Sequence, residues 1–299
     1  HGSSAITPVS VDGATIFVQH KGRVVREFLY NDVEKSYNAS NVSLYSAHLI
    51  KASRRLVVRK ATDTVPADFL YLLNSDGTLA VFSALRSVGL AAWSSFTTEG
   101  EFEDIAVVAD TVYVVVKRTI SGSAVRSIEK LNENAYMDAS TLATSASATD
   151  TWTGYGHLNG ATVKVRGDDY ILQDVVVSGG GFTSSQAVLN IEAGLNFSAS
   201  IETLPIDVDL GGYSMAGQFR RLVSAQIRLD QSRNIEVRFG KNTYRPAFRQ
   251  FGDFLDSPIQ TFTGYKKVYL NGVGKEPTIT ITQTEPLEFI VLGTLVEVK

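Results

Sequence analysis

The sequence predicts an all-β chain, a partial propeller-like antiparallel meander followed by a β-sandwich-like domain, and three features carry that expectation. From Asp68 to Leu131, short β-branched and aromatic runs alternate with Ser75-Asp76-Gly77, Ala109-Asp110 and Ser121-Gly122, the turn chemistry that joins neighbouring antiparallel strands. From Arg221 to Asp230, Val223, Ala225, Ile227 and Leu229 fall on one face and Ser224, Gln226, Arg228 and Asp230 on the other, the two-residue period of a half-buried strand. Turn signals recur throughout, and no long amphipathic helix interrupts them.

In chain order, Ala14 to Gln19 and Arg23 to Tyr30 read as strands around His20-Lys21-Gly22. Asn31 to Ile50 loses the alternation, with a short helical turn expected at Leu44 to Ile50. Arg55 to Lys60 resumes as a strand. Phe69 to Asn74 and Thr78 to Phe82 flank an Asp-Gly turn, where glycine supplies the positive φ of a tight hairpin. Ile105 to Val108, Val112 to Val116 and Ala124 to Leu131 follow at the same rhythm. About ten strands between Ala14 and Leu131 amount to roughly two and a half four-stranded blades, and a propeller closes with at least about four. The remaining blades are therefore expected from sequence outside this stretch, from another chain, or in an open arrangement.

Asn132 to Gly156 holds a Ser/Thr/Ala-rich stretch, Ala139 to Thr149, that reads as a loop or boundary. The domains expected are residues 1–150, the incomplete propeller-like meander, and residues 151–299, a β-sandwich or jelly-roll-like domain. In the second, the residues Gln231 to Asn234 are expected to turn a hairpin into Ile235, Val237 and Phe239. Thr278 to Thr284 and Leu287 to Val298 close the chain as strands.

Composition sets the function classes. At 44% hydrophobic and 20% charged over 299 residues, the chain is that of an ordinary globular protein, and it has no apolar run near the roughly 20 residues of a membrane span. It lacks cysteine, which excludes a disulfide framework, thiolate catalysis and cysteine-ligated zinc. Net charge is −3; residues 1–150 hold 14 basic and 16 acidic side chains, residues 151–299 hold 14 and 15. Neither half has the positive excess that grips nucleic acid, so contact with DNA is expected only in passage. The chain begins His1-Gly2-Ser3-Ser4, without methionine, and is expected to be part of something longer.

Candidate chemistry is sparse. Gly212-Tyr213-Ser214-Met215-Ala216 is one residue from the G-x-S-x-G nucleophile elbow but lacks its α/β context. His20, His48 and His157 lie in unrelated surroundings. Asp207-x-Asp209 with Gly212 is similar to the start of a calcium loop, yet Gln218 stands where the bidentate glutamate belongs. Gly274-Lys275-Glu276 and Ser178-Gly179-Gly180-Gly181 lack the rest of a phosphate loop. No cofactor and no metal is called for. Glu99, Glu101, Glu103 and Asp104 form an acidic cluster that a glycosidase needs as an acid/base pair, here expected on a solvated loop; Glu101 and Glu103 are the residues an enzyme would use. Tyr113, Phe69, Tyr71 and Phe82 suit strand cores. Trp93, Trp152 and Tyr155 flank loops and are the candidate ligand or interface aromatics, for stacking on sugar.

The succession of segments resembles one family. Ala14-Thr15-Ile16-Phe17-Val18-Gln19, Gly22-Arg23-Val24-Val25-Arg26-Glu27-Phe28, Asn74-Ser75-Asp76-Gly77-Thr78-Leu79 and Ala91-Ala92-Trp93 are similar to the tail nozzle or tail tubular proteins of short-tailed bacteriophages. Phe102 to Val108, Val115 to Ile120, Val125 to Leu131, Phe262-Thr263-Gly264 and Ile279 to Leu287 continue the resemblance in the same order. It implies a structural virion protein with a propeller-like domain and no catalytic residues. Such a protein assembles with other tail proteins and with copies of itself in a ring around the DNA-ejection channel. The long N-terminal part typical of the family has no counterpart here, so ring contacts through it are expected to lie outside this sequence.

Overall fold

The structure is a computed structural model that describes residues 2–299 except 64, 86–87, 208–216 and 255–256. It is 57% strand and 4% helix, so every core is made by sheets. The chain divides into two compact units, His1–Glu133 and Asn134–Lys299. The division falls inside the expected boundary segment but earlier than residue 150.

The first unit contains three antiparallel meanders. The first sheet runs β1 (Val9–Val11), β2 (Ala14–Val18), β3 (Val25–Asn31) and β4 (Ser36–Asn41); the 3-10 turn Leu44–Leu49 follows. The second runs β5 (Arg55–Arg59), β6 (Asp68–Leu73), β7 (Leu79–Leu85) and β8 (Leu90–Phe96). The third runs β9 (Glu101–Val108), β10 (Thr111–Ile120) and β11 (Ser123–Lys130). Neighbours in sequence are neighbours in each sheet, as short turns require.

The sheets stack. Leu70, Leu72, Ala80, Phe82 and Ala84 of the second sheet pack against Val11, Ile16, Val18 and Val25 of the first. The alternate residues Tyr71, Leu73, Leu79 and Val81 pack against Phe102, Ile105, Val112, Val114 and Val116 of the third. The middle sheet is thus buried on both faces, which is why β6 and β7 read as continuous apolar runs where a half-buried strand would alternate. Leu70, Leu72 and Leu79 are fully enclosed, and burial of each such side chain stabilises by roughly 2 kcal/mol. This stack of antiparallel meanders agrees with the all-β fold that the sequence predicts.

The Asp-Gly turn anchors it. Gly77 has φ +76, and a Cβ there would stand 2.7 Å from Cβ of Glu101, because the start of β9 passes against the turn. Asn74, 1% exposed, donates to the Leu49 and Thr78 oxygens and accepts from the Lys51 amide, tying the hairpin to the chain after the 3-10 turn.

The second unit opens with a fourth, five-stranded sheet: β12 (Asp138–Thr153), β13 (Thr162–Gly167), β14 (Tyr170–Ile171), β15 (Val175–Val176) and β16 (Gly181–Leu195). Ala139 to Thr149 is therefore strand, correcting the loop reading. Its small polar residues suffice because β12 is an edge strand, paired among the described residues on one side only, with β16. It also crosses close over Gly194, where a Cβ would meet Ser140 Cβ at 2.7 Å.

Two facing sheets follow. The fifth is ordered β17 (Ala199–Glu202), β23 (Thr280–Gln283), β19 (Glu236–Phe239), β20 (Asn242–Tyr244). In the sixth, β18 (Arg220–Ser232) is flanked by β21 (Phe262–Tyr269) with β22 (Val273–Gly274) and by β24 (Val291–Val298). Leu222, Ala225, Ile227 and Leu229 meet Ile235, Val237, Phe239, Ile279 and Ile281 between them, a β-sandwich core. Gln231 to Asn234 is not a hairpin, because β18 and β19 belong to different sheets. The buried Ser232 hydroxyl donates to the Ile290 carbonyl and accepts from its amide, holding the end of β18 to the chain before β24, while the next residues cross the sandwich. Arg166 pairs with Glu288 at 2.8 Å and Arg233 with Asp169 at 3.0 Å, linking the fourth sheet to the sandwich.

Candidate functional site

The three aromatics singled out from sequence are packing residues. Trp93 is in β8, half-buried, with its ring 4.9 Å from Phe82 and its indole N–H donating to the Val42 carbonyl at 2.8 Å. Trp152 is 6% exposed at the end of β12, and Tyr155 is fully enclosed beside Phe182. The Tyr155 hydroxyl donates to the Thr141 carbonyl. Burial, with the charge of Glu192, pushes that phenol up to about 12. Trp152 and Tyr155 are closed to a sugar, so the three do not form a stacking groove.

Three of the four acids in the cluster are not in a loop. Glu101, Glu103 and Asp104 lie in β9, where a register shift leaves Glu103 as an extra residue, a β-bulge that lets Phe102 and Ile105 both point inward. Each acid has a basic partner: Lys117 at 3.9 Å from Glu101, Arg126 at 2.7 Å from Glu103, Arg55 at 2.8 Å from Asp104. Hydrogen bonds from Arg126 hold the Glu103 carboxyl below the usual range. Such pairing suits a solvated sheet surface better than an acid waiting to protonate a leaving group.

Of the other sequence candidates, Ser214, Asp209 and Gly212 lie outside the described residues. His157 hydrogen-bonds the Ala139 carbonyl, while His20 lies in the turn between β2 and β3 and His48 in the 3-10 turn Leu44–Leu49. Ser178 to Gly181 is a tight turn with Gly179 at φ +62 and Gly180 at φ +79. No group of three or more metal-ligating side chains occurs among the described residues. No helix among them is long and apolar enough to cross a membrane.

What the geometry does bring together is on the outer faces of the sheets. In the first sheet, Phe28 stacks on Tyr37 with centroids 4.9 Å apart and planes 7° from parallel, and Tyr30 meets Tyr37 edge-on at 5.1 Å. The three rings are 41%, 64% and 44% exposed, in that order of Phe28, Tyr37, Tyr30. The pairing of Tyr30 with Tyr37 and of Phe28 with Ala39 puts them on the face turned away from the second sheet. At the other end of the stack, the outer face of the third sheet carries Val108, Tyr113 and Ile128. Tyr113 is thus an outward residue, correcting its assignment to a core.

The sixth sheet offers a third surface. Its register sets Tyr265 beside Arg228, Lys267 beside Gln226 and Tyr269 beside Ser224, with Leu295 and Glu297 completing the rows from β24. Neither aromatic group was found from sequence. The available signals were the alternation Phe28-x-Tyr30 and Tyr265-x-Lys267-x-Tyr269, each placing rings on one side of a strand.

No known protein-family model and no curated protein matches this chain.

Proposed function

We propose that the chain is a structural protein of a bacteriophage tail, a nozzle or tail tubular component that works by assembly along the DNA-ejection channel, with its place in the virion. The observation that carries this reading is the open stack of the first unit. Sheet-on-sheet contact is how that unit buries its apolar residues, yet both end faces of the stack present large apolar side chains to solvent, Phe28, Tyr30 and Tyr37 at one end and Val108, Tyr113 and Ile128 at the other. Exposed aromatic patches of this kind are the usual mark of protein contact. The family resemblance supplies the kind of assembly: other tail proteins and copies of this chain. The balanced charge of both halves suits a wall that DNA slides past, since few phosphates are neutralised. Glu101 and Glu103, held by Lys117 and Arg126, favour a structural role over a glycan-cleaving one.

The test is incorporation. Phe28→Glu combined with Tyr37→Glu is expected to leave the circular-dichroism spectrum unaltered and to stop the chain entering particles. Normal incorporation of the folded double variant contradicts the reading.

A further inference from the structure

We propose that the outer face of the sixth sheet binds a neutral polysaccharide, with Tyr265 and Tyr269 as the stacking residues. The two rings are 57% and 71% exposed on one side of β21. They stand four positions apart on the strand, about 13 Å along the sheet, so a chain of sugar rings can rest on both. Between and beside them the register places Gln226, Arg228 and Lys267, with Ser224 buried opposite Tyr269. The Arg228 guanidinium lies 5.9 Å from the Tyr265 centroid and the Lys267 ammonium 5.0 Å from that of Tyr269. Neither cation has an ion pair or hydrogen bond among the described residues, so their donors are available to hydroxyl groups. Glu297, held by the Ser224 hydroxyl at 3.0 Å, supplies an acceptor on the same face.

Charge selects the ligand. Arg228 and Lys267 share this face with Glu297 and with Asp230, which accepts from Thr263 at 2.9 Å, while Arg221 and Lys299 pair at its end. A phosphate backbone needs a continuous run of cations, and here Asp230 and Glu297 interrupt the basic residues. An uncharged, polyhydroxylated chain needs flat aromatic faces with donors and acceptors at their rims, and these are present. The face also differs from the outer face of the first sheet, where Phe28, Tyr30 and Tyr37 pack on one another.

Affinity electrophoresis of the full chain tests this, using gels that contain dextran, mannan, xyloglucan, polygalacturonate or single-stranded oligothymidylate. At least one of the three neutral polysaccharides is expected to retard the protein. Tyr265→Ala and Tyr269→Ala are each expected to weaken that retardation about tenfold, while Tyr265→Phe preserves it and Tyr113→Ala, in the other unit, leaves it unaltered. Both tyrosines are exposed, so circular dichroism of the variants is expected to match the parent. The proposal is overturned if no neutral polysaccharide retards the chain, or if retardation survives both alanine substitutions. Stronger, salt-sensitive retardation by polygalacturonate or oligothymidylate overturns it equally.

Discussion

The Arg118 guanidinium lies side-on to the Glu129 carboxylate across β10 and β11, with Nε 3.1 Å from Oε1 and Nη2 2.7 Å from Oε2. Arg118 is 3% exposed, and its Nη1 also donates to the Glu99 carbonyl, so one side chain joins β10 and β11 to the chain just before β9. Removing it leaves Glu129 without its bidentate partner. Arg118→Ala is expected to cost about 3 kcal/mol of unfolding free energy, the usual effect of breaking a buried pair. Equilibrium denaturation measures it, and a loss too small to resolve contradicts the pair's structural role.

Gly100 carries a different constraint. Its φ is +145, and a Cβ would stand 2.3 Å from the Lys117 carbonyl oxygen, a backbone atom that cannot step aside. Gly122 has φ +80 with nothing within 4 Å. Gly100→Ala is therefore expected to destabilise by about 3 kcal/mol, from clash and strain together, and Gly122→Ala by about 1 kcal/mol from the left-handed backbone alone. Equal melting temperatures for the two variants are the contrary result.

Glu192 links stability to pH in the unusual direction for a carboxylate. Burial raises its pKa above the ordinary glutamate value of 4.5, although the Tyr136 and Met137 amides and Ser140 pull the other way. The folded chain thus holds this proton more tightly than the unfolded chain. The resulting contribution is fully present below 4.5 and is lost as pH rises through the folded value. Glu192→Gln keeps an acceptor for the two amides and removes the titration. Between pH 4.5 and 8, the parent is expected to lose more stability than this variant; parallel pH profiles in urea denaturation rule the linkage out.

The burial of Trp152 predicts its behaviour in binding experiments. Trp152→Ala is expected to destabilise by roughly 3 to 5 kcal/mol, as a core ring does. Polysaccharide added to the parent protein is expected to leave tryptophan emission unaltered, since Trp93 and Trp152 are packed in other sheets than the sixth. A shift in emission on binding places the ligand elsewhere.

How far the fold was legible follows from where each strand's side chains go. The β6 and β7 hairpin was readable because both faces are buried and its turn needs Gly77. The β4 and β8 strands were not, since they are edge strands with exposed, polar or small residues and no alternation to detect. For β12 the same edge position, together with a serine- and threonine-rich composition, hid a 16-residue strand. The alternation that runs from β18 into Ile235, Val237 and Phe239 continues across two sheets, and periodicity carries no record of which strand is the partner. For the sites, exposure decided the matter. Trp152 and Tyr155 look like loop rings in the sequence and are enclosed by Phe182 and the fourth sheet, whereas Tyr265 and Tyr269, which the sequence reading passed over, face solvent from a strand.

The central claim, a structural place in a phage tail, is tested most directly by immunogold electron microscopy of particles released from cells carrying the gene, with antibody raised against this chain. Gold at the tail, at the end of the channel through which DNA leaves, is the predicted result. Particles whose tails stay unlabelled while the chain is recovered outside the virion fraction would contradict it.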